Sequence, residues 1–177
     1  ALGINAKPVL IGPITYLSLG KVQDSNNPDF DPFSLLDNLV SVYVDIIEKL
    51  SDAGAEWIQL DEPVFSLDLN DTQRQALKQA YEQIAAAKSK SKVLVTTYFG
   101  NVSENLNAYL ELPVDALHFD VVRGNDDFKD ILAKFPKDKI LSLGVVEGRN
   151  IWRNNFEESL DILNQAKDVV GDRLWVA

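Results

Sequence analysis

Short apolar runs alternate with longer stretches of helical period along the whole chain, and that alternation leaves few folds open. Residues 7–11 (KPVLI) form a continuous apolar run, as a strand buried on both faces requires. Similar runs recur at 56–60 (EWIQL), 92–97 (KVLVTT), 116–122 (ALHFDVV), 139–146 (KILSLGVV) and 173–177 (RLWVA). Between the first two, NNPDFDP at 26–32 is punctuation, with two prolines and several potential caps. A helix over 34–53 then presents Leu35, Leu36, Leu39, Val40, Tyr43, Ile46, Ile47 and Leu50 on one stripe, with Gly54 as its left-handed stop. Asn70 or Asp71 caps a second helix with Leu77, Ala80, Tyr81 and Ile84 inward. Shorter helices are expected around 103–110 and 126–135. A last one over 155–170 should turn Phe156, Leu160, Leu163, Ala166 and Val170 to the core.

Strand–helix alternation demands parallel strands joined by right-handed crossovers. No glycine-rich phosphate loop follows the first strand, which argues against a dinucleotide-binding open sheet. At about 31 residues per unit, 177 residues hold between five and six units of an eight-unit barrel. The expected architecture is therefore α/β, a (β/α)8 TIM-type barrel with about six of its eight units. Residues 1–177 would be a single fragment of one barrel domain, and a chain with no methionine fits a piece of a longer polypeptide.

Composition narrows the partners. Lys+Arg 17 against Asp+Glu 27 gives a net charge of −10, with the cations scattered, which excludes a nucleic-acid or anionic-membrane surface. No run is apolar for long enough to span a bilayer. Cys 0 removes disulfides and thiolate metal sites, so nothing ties the chain to an oxidising compartment, and a cytoplasmic location is expected.

In a barrel, function sits on the loops after the strand C-termini. There the sequence offers Asp61 and Glu62, Thr96–Thr97–Tyr98, Asp120 and Arg123, and Glu147, Arg149 and Asn150. Such a mouth could be a polar pocket for a zwitterionic or anionic substrate. It could also be a salt-bridge network with Arg123 and Arg149 paired to Asp120 and Glu147. A third possibility is Mg²⁺ held by Asp61, Glu62, Asp120 and Glu147, as in a metal-dependent lyase or aldolase, although the two arginines would compete for those carboxylates. Bare apolar sheet edges could also make the chain an interaction module. His118, the only histidine, shares a strand face with Asp120 and suits a hydrogen-bonded structural role. One His and no Cys cannot supply a usual zinc ligand set. Trp57, Trp152 and Trp175 read as packing residues.

Five stretches, KPVLIGPITYL (7–17), GAEWIQLDEPV (54–64), TTYFGNVSENL (96–106), LPVDALHFDVVRG (112–124) and LSLGVVEGRNIW (141–152), occur in that order. Together they resemble the N-terminal domain of the cobalamin-independent methionine synthases, the 5-methyltetrahydropteroyltriglutamate–homocysteine methyltransferases. The resemblance implies two tandem barrels. The C-terminal one binds zinc and activates homocysteine, and the N-terminal one has kept the frame and lost the metal. Where the catalytic half has a His-x-Cys ligand pair, this chain has Val95–Thr96–Thr97. Asp120 stands at a ligating Glu, and Glu147–Gly148–Arg149–Asn150 at the catalytic histidine loop. Asp61 matches a carboxylate that holds the amino-acid ammonium; here it is expected to partner Arg123 or Arg149. The resemblance thus implies an enzyme that passes a methyl group from 5-methyltetrahydrofolate polyglutamate to homocysteine, giving methionine without cobalamin. This part would hold no catalytic residue and no metal ligand. It would brace the C-terminal barrel and help to hold the polyglutamate tail, with the folate-contacting basic residues before Ala1.

Overall fold

The computed structural model describes residues 3–21, 29–87 and 89–177. Six strands, β1 (Val9–Ile11), β2 (Trp57–Asp61), β3 (Lys92–Thr96), β4 (Ala116–Asp120), β5 (Ile140–Gly144) and β6 (Leu174–Val176), form one sheet in sequence order. Every neighbouring pair is parallel. The helices between them are α1 (Pro13–Leu19), α2 (Leu36–Asp52), α3 (Asp71–Ala85), α4 (Leu106–Leu110), α5 (Phe128–Lys134) and α6 (Phe156–Val170).

The sheet is curled. Trp57 of β2 and Trp175 of β6 meet edge-to-face with ring centroids 4.6 Å apart, although three strands separate theirs. In a flat sheet four strand spacings would part them by roughly 19 Å. Only a sheet wrapped into most of a cylinder brings those two indoles together, so the fold is the expected TIM-type barrel with six of eight units. The outward layer, Ile58, Leu60, Val93, Val95, Leu117, Phe119, Leu141 and Leu143, is buried under the helices. The inward layer runs in register through Ile11, Asp61, Thr96, His118, Ser142 and Trp175, and is mostly polar.

Local chemistry sets the element ends. Asn70 and Gln73 form a reciprocal capping box at the start of α3, and Asn155 accepts from Glu158 N at the start of α6. Gly54 takes φ 93° directly after α2, the left-handed stop that its position calls for. Of the punctuation at 26–32, residues 26–28 lie outside the described residues; Asp31 accepts from Phe33 N and opens a 3₁₀ turn before α2.

One element is added and two expectations are corrected. α1 is a helix the sequence pattern did not announce; Pro13 occupies its first turn, where a missing N–H costs nothing. On α6, Phe156 and Leu160 are 59% and 56% exposed; Ser159, Ala166 and Val170 face the core instead. Trp152 is exposed rather than packed. Among the described residues no helix is long and apolar enough to cross a membrane.

Candidate functional site at the barrel mouth

The loops after β3, β4 and β5 meet at the C-terminal end of the strands, and Asp120 ties them together. As the last residue of β4, its carboxylate points into the turn that follows. Oδ1 accepts from Val122 N (3.0 Å) and Arg123 N (3.1 Å), and Oδ2 accepts from Phe99 N (3.2 Å) across the sheet. Three amide donors thus occupy it, and no arginine pairs with it. Gly124 completes the turn in a space too small for a side chain: a Cβ would lie 2.6 Å from Gly100 O.

Arg123 Nη2 donates to Glu147 Oε2 at 2.8 Å, whereas the sequence left open which arginine meets which carboxylate. Glu147 Oε1 accepts from Arg149 N at 2.9 Å. The Arg149 guanidinium lies over the Phe99 ring, 4.6 Å from its centroid. Asn150 Oδ1 accepts from Trp152 N in an exposed turn. Asp61 is not the partner of either arginine. It accepts from Gln59 Nε2 (2.7 Å) and from the Tyr98 hydroxyl (3.3 Å), both close by on the inward face.

Glu62 leaves the mouth altogether. Period-2 alternation that turns Gln59 and Asp61 inward sends Glu62 outward, under the helices. It is fully buried, and its carboxylate accepts from Ile14 N (3.1 Å), Thr15 N (2.7 Å) and the Tyr81 hydroxyl (3.1 Å). Burial pushes this carboxyl up to about 7, against the downward pull of the hydrogen bonds from Thr15, Ile14 and Tyr81. The group therefore fastens α1 to the end of β2 and does not reach a ligand.

His118 lines the inward face with Nδ1 2.8 Å from Ser142 Oγ. Its ring lies against Gly144, where a Cβ would come 3.0 Å from Nε2. Burial lowers its pKa to about 4, with Asp120 pulling weakly the other way, so the imidazole is neutral at physiological pH. A histidine that stays neutral when folded costs stability as pH falls from 6.5, its unfolded value, towards about 4. Wild type should accordingly lose roughly 3 kcal/mol relative to a His118→Asn variant between pH 7 and pH 4. Urea unfolding of both proteins across that range measures the difference; parallel pH profiles would refute the assignment.

The mouth does not fit zinc or Mg²⁺. The end of β3 offers hydroxyls, Thr96 and Thr97, both buried with oxygen atoms that find no hydrogen-bond partner. Asp120 is saturated by amides and the His118 Nδ1 faces Ser142. Among the described residues no three His, Asp or Glu side chains gather into a group able to hold a metal ion. Sequence reasoning passed over two residues that shape this mouth, Phe99 and Gly144; a bulky residue directly before Gly100 was the available sign of the first.

This fold and this strand-end pattern define a barrel whose mouth is braced from within. The family described as "Cobalamin-independent synthase, N-terminal domain" matches residues 1–171, and the chain belongs to it. Among its relatives is a protein of Nitrobacter winogradskyi named 5-methyltetrahydropteroyltriglutamate–homocysteine methyltransferase. It is 51% identical over 178 residues, which cover 100% of this chain and 23% of that protein. A Vibrio harveyi protein of the same name is 45% identical over 176 residues, covering 99% of this chain and 22% of its own length. The chain thus spans less than a quarter of the curated relatives it matches. Two solved structures share the fold. A methyltransferase from Methanosarcina mazei has a TM-score of 0.73 at 20% identity, covering 99% of this chain and 53% of that one. A B12-independent methionine synthase from Shewanella sp. W3-18-1, in complex with selenomethionine, has a TM-score of 0.70 at 18% identity, covering 95% and 52%.

Proposed function

We propose that this chain is part of a 5-methyltetrahydropteroyltriglutamate–homocysteine methyltransferase and serves it as a non-catalytic scaffold. In this reading residues 1–177 are a fragment of the N-terminal barrel. A second, C-terminal barrel outside the chain holds the zinc and the homocysteine site. The reaction moves a methyl group from 5-methyltetrahydrofolate polyglutamate to homocysteine in the cytoplasm, without cobalamin. The chemistry needs a thiolate nucleophile and a proton for the departing amine. Metal binding supplies the thiolate by lowering a thiol's pKa.

One observation carries the scaffold reading: the carboxylates of this mouth are spent on the protein itself. Asp120 holds three backbone amides, Glu147 holds Arg123 and an amide, and Asp61 holds Gln59 and Tyr98. A catalytic carboxylate would need free lone pairs aimed at a substrate. The same saturation speaks against a Mg²⁺ lyase, which would need several of those carboxylates on one ion.

Methionine formation by the full-length protein tests this. Asp61→Asn and Glu147→Gln are each expected to change kcat/KM by less than about fivefold once scaled to folded protein. A loss of about 1,000-fold, roughly 4 kcal/mol, with the fold intact would overturn the scaffold reading.

A further inference from the structure

We propose that the cleft between the loops after β3, β4 and β5 binds a small carboxylate with an apolar body, gripped by the Arg149 guanidinium. The cleft has a volume of about 240 Å³, room for a ring or a short aliphatic chain. Tyr98, Phe99, Val122 and Val146 give it apolar walls, and His118 and Gly144 line it as well.

Its charges are unequally satisfied. Glu147 is neutralised by Arg123 at 2.8 Å, and the Asp120 oxygens are hydrogen-bonded by three amides. Among the described residues the Arg149 side chain has no carboxylate or other acceptor; its one contact is the Phe99 ring face, 4.6 Å away. A guanidinium lying over an aromatic ring keeps its N–H groups free to take a carboxylate through two parallel hydrogen bonds. The stacking leaves less side-chain freedom to lose on binding.

The Phe99 backbone shows that this posture is imposed. Phe99 sits at φ 84°, left-handed backbone that a bulky side chain rarely adopts. Asp120 Oδ2 fixes it there through the Phe99 N–H. Phe99 is 53% exposed, and its ring meets Tyr98 edge-to-face, with centroids 4.5 Å apart. Core packing does not account for an exposed aromatic held against its backbone preference. Such strain gathers at ligand clamps, and here it sets the ring under Arg149. The neutral His118 brings no charge to compete, and its ring lies beside Gly144 in the cleft wall. A carboxylate suits the cleft because one cation is open; an apolar body suits it because the walls beside that cation are aromatic and aliphatic.

Arginine labelling with phenylglyoxal, read by peptide-resolved mass spectrometry on the full chain, tests the site, with sodium benzoate as the probe. Millimolar benzoate is expected to slow labelling of Arg149 by about tenfold, while the exposed Arg153 keeps its rate. Benzamide, of the same shape without the charge, is expected to protect neither. Phe99→Gly suits the left-handed backbone and removes the ring, so it should keep the fold and lose the protection. Equal rates at Arg149 and Arg153, equal protection by benzamide, or full protection in Phe99→Gly would each overturn the proposal.

Discussion

Glu62→Ala is expected to destabilise the protein by about 4 kcal/mol at neutral pH, the largest effect of any single side chain at the strand ends. The side chain is fully buried, and its removal strands Ile14 N, Thr15 N and the Tyr81 hydroxyl without an acceptor. Each buried donor left unpaired costs about 1–3 kcal/mol. The loss is partly offset, because burying the carboxylate is itself unfavourable and has raised its pKa to about 7. That raised value also sets a pH dependence. Glu62 binds its proton more tightly folded than unfolded, so its contribution is complete below pH 4.5 and falls as pH rises through about 7. Urea titration at pH 5 and pH 8 should therefore show a larger Glu62→Ala deficit at pH 5. A deficit under about 1 kcal/mol at both would mean that α1 is held by something else.

Gly12→Ala is expected to cost about 3 kcal/mol, and nearly nothing when Glu62 is already Ala. Gly12 has ordinary extended backbone (φ −72°, ψ 154°), so Ala brings no backbone strain. The obstacle is Glu62: a Cβ at position 12 would lie 2.1 Å from Cδ, 2.2 Å from Oε1 and 2.4 Å from Cγ. A surface glutamate would swing aside, but this one is enclosed and held by three donors, so moving it forfeits them. In the Glu62→Ala background the same methyl enters vacated space. A double-mutant cycle by urea unfolding measures the coupling. Additive losses would place the cost of Gly12→Ala elsewhere.

How much of this was legible depended on which periodicity was decisive. Strand–helix alternation gave the parallel order, because a βα unit has almost no other way to pack. Asn70 with Gln73, and Gly54, marked helix ends because caps are satisfied locally. α1 was missed since seven residues carry too little pattern; Gly12–Pro13 was its only sign. Glu62 was placed at the mouth because Asp61–Glu62–Pro63 reads as one polar tip. Pleat parity, counted from Ile58 and Leu60, would have sent it under the helices. Phe156 and Leu160 misled because α6 carries apolar residues on two sides, and burial selects the Ala166–Val170 side. Of the mouth residues, arginine–carboxylate pairing was anticipated as a network, but neither the Arg123–Glu147 choice nor the company of Asp61 was. Gln59, two residues away on the same strand face, and Tyr98 on the neighbouring strand end satisfy that carboxylate instead.

The pairing of Trp57 with Trp175 also bears on how the chain reaches this shape. More than a hundred residues of sequence lie between the two indoles, whereas each strand finds its ladder partner in the next unit along. During synthesis β2, β3 and β4 can pair as they emerge, yet the contact between the two indoles waits until β6 has emerged. Loop-closure entropy makes that late contact costly to form ahead of its neighbours. Assembly of these six strands should proceed by zippering from strand to strand, with the bend that joins β2 to β6 set after the ladders between them.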